Sequence, residues 1–135
     1  MRLENKVAII TGSARGMGKA FALRFAREGA RVTVCDVHDC KPVVAEIEAI
    51  GGQALALKTD VTSETDTVEM AKKTIDRFGR IDILVNNAAA LGGLEIPDFM
   101  KPWEELTSKD WDKILDVNVK GVFLCCKAVI PKELY

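Results

Sequence analysis

One stretch of this chain is built for binding through its backbone: Thr11-Gly12-Ser13-Ala14-Arg15-Gly16-Met17-Gly18. Its glycines follow the pattern Gly-x-x-x-Gly-x-Gly, after the apolar run Val7-Ala8-Ile9-Ile10 and before an amphipathic segment. Glycine permits close backbone approach, and a helix starting there offers unpaired N–H groups and a positive dipole end. A pyrophosphate is the ligand such a turn suits. Gly12, Ser13, Arg15, Gly16, Met17 and Gly18 are therefore the candidate cradle. Glycines alone would be a weak signal, but an acid, Asp36, ends the next apolar run. A carboxylate there can accept hydrogen bonds from adenosine ribose hydroxyls and would repel a 2′-phosphate, which favours NAD over NADP. Arg15 argues the other way, because a guanidinium in the loop could bind that phosphate.

Two further polar groups stand out. Asn86 and Asn87 follow the apolar run Ile83-Leu84-Val85 and bring both donors and acceptors. Asn118 lies among Leu115, Val117, Val119 and Val122 in a helical pattern. Asparagine is a poor helix former, and its amide must find partners there or cost a few kcal/mol.

The elements that must hold these residues alternate in type. Val7–Ile10, Val32–Cys35, Ala54–Leu57 and Ile83–Val85 read as short buried strands. Between them, Gly16–Glu28, Pro42–Ile50 and Ser63–Phe78 read as helices, stopped by Gly29, Gly51 and Gly79. A loop from Ala88 to about Thr107 precedes a long helix that Ser108 is expected to cap and that continues to about Val129. Apolar strands alternating with amphipathic helices predict an α/β fold, a doubly wound parallel sheet covered on both faces. Ligands of such sheets bind beyond the carboxyl ends of the strands, where the motifs fall.

Composition excludes several functions. The 135 residues are 48% hydrophobic, enough for one domain core, and carry a formal net charge of −1. That is no footprint for a nucleic-acid binder, and no apolar run approaches the ~18 residues of a membrane span. Met-Arg-Leu-Glu-Asn-Lys lacks a signal-peptide core, so a cytoplasmic location is expected. Cys35, Cys40, Cys125 and Cys126 form no Cys-x-x-Cys pair and His38 is the single histidine, so no metal site is expected and the thiols are read as reduced and mostly buried.

Taken together, the motifs resemble the short-chain dehydrogenases/reductases, whose signature Thr-Gly-x-x-x-Gly-x-Gly is matched by Thr11–Gly18. Asp60-Val61, Asn86-Asn87-Ala88-Ala89 and Asp116-Val117-Asn118-Val119-Lys120-Gly121 match further family segments in order, with Ala89 where the family usually has glycine. The resemblance covers essentially the whole chain. It implies a Rossmann-like sheet of order 3-2-1-4, with residues 1–135 as the N-terminal part of a single NAD(P)-binding domain. Asp60 would accept from the adenine amino group and the Val61 backbone would border the ring. Asn87, Ala88 and Ala89 would lie on the cofactor, and Asn86 would tie strands together. Asn118 would be the catalytic asparagine that loosens its helix and holds a water of the proton relay.

The same resemblance defines what is expected to be missing. The family's catalytic serine and its Tyr-x-x-x-Lys pair have no match, since the single tyrosine is Tyr135. The fold is thus expected to be truncated after the long helix that follows the fourth strand. Asp82–Asn86 would become an apolar edge prone to self-association. Three functions stay open: an inactive portion of an NAD-dependent alcohol–carbonyl oxidoreductase acting on a small-molecule substrate, a non-catalytic dinucleotide-binding module, or an interaction protein. In family oligomers the helix from Ser108 often packs on its copy, so a homo-oligomer is implied. Leu94, Ile96, Phe99 and Trp103 are candidate apolar lining of a substrate pocket.

Overall fold

The structure, a computed structural model, describes residues 1–90 and 102–131. Leu94, Ile96, Phe99 and Tyr135 lie outside the described residues. Four strands, β1 (Val7–Thr11), β2 (Arg31–Asp36), β3 (Gln53–Lys58) and β4 (Ile83–Val85), form a parallel sheet in the order β3-β2-β1-β4. The expected strand order and all four strands are therefore found. Helices α1 (Gly16–Arg27), α2 (Lys41–Ala49) and α3 (Glu64–Phe78) connect them.

Both faces of the sheet are covered. Ile10, Val32 and Val34 pack with Ala22, Ala26, Val43 and Ile47 of α1 and α2. Ile9 and Cys35 face the other way, onto Val61, Met70 of α3 and Cys125. Neighbouring strand residues point to opposite faces, which is why β1 is buried along its whole length. A polar residue in such a strand needs a partner. Thr33 finds one in Thr74 of α3, hydroxyl to hydroxyl at 2.9 Å.

Helix ends follow local chemistry. Ser63 caps α3 by accepting the Asp66 N–H, and Gly79 ends it in the left-handed region with φ 83°. The helix expected from Ser108 differs at its start and in its continuity. Its cap is Thr107, which forms a capping box with Asp110, because an acid three residues on can reach back to the cap N–H. A 3-10 turn, Trp103–Glu105, precedes it. The helix is also divided into α4 (Ser108–Leu115) and α5 (Gly121–Val129) by a wide π turn at Asp116–Lys120, where the Gly121 N–H reaches Asp116 O. α5 packs on α3, Gly121 lies tight against Val61, and Lys127 pairs with Glu64 at 2.6 Å.

All four cysteines are free; Cys35, Cys40 and Cys125 are buried. Burial pushes the Cys40 thiol up to about 12 and the Cys125 thiol to about 11, from an ordinary 9.0. Cys35 is raised well above that value by the same cause. An unfolded chain ionises these thiols above pH 9 while the folded chain keeps them protonated. Stability is therefore intact below about pH 9 and is lost as pH rises toward 11 to 12, by about 1 kcal/mol per buried thiol at pH 10. Urea midpoints at pH 8 and pH 10 measure this, and Cys40→Ala should flatten the slope.

Candidate functional site

The carboxyl ends of β1, β2 and β4 converge on the turn from Thr11 to Arg15. Gly12 and Gly16 sit at φ 62° and 60°, a region that L side chains rarely adopt. A Cβ on Gly12 would lie 2.7 Å from the Ala88 Cα, whereas one on Gly16 would meet nothing within 4 Å. The first glycine thus closes the turn against the end of β4, and the second keeps the space over the helix end clear. Gly18 is buried, and a Cβ there would overlap the Gly12 carbonyl and the Asn87 amide. Glycine at that position lets α1 sit down on the turn.

The start of α1 is uncapped. Its N-cap, Arg15, makes no capping bond, and the first turn holds no acid. Its opening N–H groups have no partner within the helix, and the dipole end is positive. Arg15 and Met17 are exposed beside it. These features fit a dinucleotide pyrophosphate: a cradle of glycines, open space, and donors without acceptors.

Side chains from three strands hold the turn in place. The Thr11 hydroxyl accepts the N–H groups of Asn87 and Ala88, each at 3.0 Å, and donates to Val85 O at 3.3 Å. Its hydrogen-bonding capacity is then full. Asn87 donates its amide to Thr11 O at 3.1 Å and Gly12 O at 3.0 Å. The tie between strands is therefore made by Asn87, and the role expected of Asn86 is corrected. Asn86 is exposed, and among the described residues its side chain donates to Cys126 Sγ at 3.5 Å. Ser13 is fully buried: its hydroxyl donates to Ile10 O at 2.6 Å and accepts the Cys35 N–H at 3.1 Å. Its own N–H goes to Cys35 O, so Ser13 supports the turn from beneath.

The remaining candidates surround this frame. Asp36 ends β2 with 8% exposure, and its carboxylate accepts the N–H groups of Ala14 and His38, each at 3.0 Å. Asp60 is exposed and folds a local turn, accepting from Thr62 N and Oγ1 at 2.9 and 2.7 Å. Val61 is buried, Ala88 half-buried and Ala89 exposed. Asn118 lies in the π turn, where its Oδ1 accepts the Ala90 N–H at 2.8 Å and its Nδ2 donates to Ala90 O at 2.9 Å. That reciprocal pair gives both ends of the amide a partner and fixes the chain beyond β4. No group of His, Cys, Asp and Glu suited to a metal occurs among the described residues.

Sequence reasoning gave Thr11 no role, although its hydroxyl is the node joining β1 to β4. Its position beside Gly12, opposite the Asn pair, was the available signal. Asn87→Ala removes two ties and is expected to cost about 2 kcal/mol, while Asn86→Ala stays within about 0.5 kcal/mol. Urea denaturation of both variants measures the difference.

The short chain dehydrogenase family matches residues 6–134. A protein from Thauera aromatica, (2S)-[(R)-hydroxy(phenyl)methyl]succinyl-CoA dehydrogenase subunit BbsD, is 45% identical over 131 residues, covering 96% of this chain and 50% of that one. The crystal structure of a hydroxysteroid dehydrogenase from Escherichia coli superposes with a TM-score of 0.83 at 38% identity, over 95% of this chain and 52% of that one. A metagenomic short-chain oxidoreductase in complex with NADP matches with a TM-score of 0.83 at 31% identity, over 95% of this chain and 56% of that one. The chain spans about half the length of the curated relatives it matches.

Proposed function

Because the chain belongs to the short-chain dehydrogenase family, we propose that it forms the dinucleotide-binding portion of an NAD-dependent oxidoreductase that interconverts small-molecule alcohols and carbonyls. The observation that carries this reading is the open glycine turn on the uncapped start of α1, beside a carboxylate at the end of β2. A nicotinamide dinucleotide supplies a hydride acceptor or donor when bound. The α1 N-terminus would hold its pyrophosphate, with Gly12, Gly16 and Gly18 giving the close approach and Arg15 and Met17 flanking it. Asp36 would take the adenosine ribose, and Asp60 and Val61 would border the adenine. Asn87, Ala88 and Ala89 would line the nicotinamide side.

Asn118 is the catalytic candidate. Its place in the π turn, with its amide on the backbone of Ala90 just beyond β4, supports a role in holding a water of a proton relay. The 135 residues hold one tyrosine and no Tyr-x-x-x-Lys, so the chain by itself is read as binding without turnover. NADH titration followed by fluorescence should saturate, and Gly12→Ala should weaken it at least about tenfold. NADPH should bind about tenfold more weakly than NADH, because Asp36 repels a 2′-phosphate. Equal affinity would overturn the NAD preference, and no binding of either would overturn the reading.

Substrate choice, a cytoplasmic location and a homo-oligomer belong to the same proposal. Free cysteines support the location. Among the described residues, no helix is long and apolar enough to cross a membrane. Trp111, Leu115, Val119 and Phe123 support the oligomer: four exposed apolar side chains at four-residue spacing along α4, the π turn and α5. Sedimentation should show a dimer or larger species that Phe123→Ser shifts toward monomer, and a monomer at all concentrations would count against it. Trp103, 79% exposed, is the described end of the candidate substrate loop.

A further inference from the structure

We propose that Asp36 is a positioning residue that latches the glycine turn to β2, beyond any contact it makes with a ribose. The turn between Gly12 and Gly16 holds only Ser13, Ala14 and Arg15, and its two glycines bring no side chain to fix it. Two consecutive N–H groups of this stretch are captured by consecutive residues of β2. Ser13 donates to Cys35 O at 3.2 Å, and Ala14 donates to Asp36 Oδ2 at 3.0 Å. The other carboxylate oxygen takes the His38 N–H at 3.0 Å, which orients the carboxylate from the far side. The Asp36 carbonyl accepts the Thr59 N–H at 2.9 Å, so the backbone bearing the latch is itself tied to the end of β3.

A carboxylate offers about four lone-pair sites, so two backbone donors leave room for ribose hydroxyls. The latch and the ribose contact are therefore compatible, and both depend on the same group. An amide at position 36 offers one oxygen and can hold only one of the two N–H groups. A change from Asp36 to a neutral side chain would lift repulsion on a 2′-phosphate and release the turn together. The result would be weaker binding of both dinucleotides rather than an exchange of one for the other.

This inference takes its purpose from the dinucleotide reading, but amide exchange tests it with no ligand present. In the unaltered chain the Ala14 N–H should be protected well above an exposed loop amide. In Asp36→Asn, protection at Ala14 or His38 should fall by roughly 10- to 100-fold relative to the core amides of Val32 and Val34. ADP-ribose and 2′-phospho-ADP-ribose should both bind more weakly to the variant. An unprotected Ala14 in the unaltered chain would overturn the proposal. So would an equal acceleration at Val32 and Val34, or tighter 2′-phosphate binding with ADP-ribose unaffected. If neither ligand binds the unaltered chain, the dinucleotide reading fails while the exchange result still decides the latch.

Discussion

A backbone turn that leaves its helix-end N–H groups open cannot be held by its own hydrogen bonds. The structure around Thr11–Gly18 follows from that constraint. Donors at the start of α1 stay open, so the turn is held from outside, by short side chains at strand ends. Thr11 and Asn87 bind it to β4, and Ser13 and Asp36 bind it to β2. Glycine is then required where those strands press closest, at Gly12 against Ala88 and at Gly18 against Asn87. The sheet order β3-β2-β1-β4 matters for the same reason: it places β1 between the two strands that hold its turn.

That arrangement divides what a reader of the sequence can see from what only three dimensions reveal. The strands, the first three helices and the glycine turn were legible, because apolar runs and glycine stops are local patterns. The choice between Asn86 and Asn87 was not. Neighbouring residues at a strand end point to opposite sides, and only the location of the Gly12 carbonyl decides which one reaches it. Ser108 and Thr107 are both good caps. The acid at Asp110 was the deciding cue, since it stands three residues after Thr107. Asp36 stood out as the acid that ends β2, but its backbone partners come from two separate turns that sequence spacing does not align.

Support for the site also comes from deeper layers. β1 is inaccessible from Val7 to Thr11, and the helices on either face meet it through Ile9 and Ile10 in turn. The polar exceptions are paired: Thr33 with Thr74, and Ser13 with Ile10 and Cys35. A buried platform of this kind lets four side chains, Thr11, Ser13, Asp36 and Asn87, set a backbone turn.

The π turn at Asp116–Lys120 carries a consequence for how this chain can change. A π turn is equivalent to one extra residue inserted in an α-helix. Because the wide turn absorbs that residue, removing one there would restore regular helix and leave Leu124 and Cys125 facing the core. The cost would be local. Asn118 would lose its alignment with Ala90, which the π turn alone provides. A residue lost within α5 has no such turn to absorb it, and each residue turns a helix by about 100°. Length changes are therefore tolerated at the irregular turn and not beyond it, and the turn is kept for the side chain it presents.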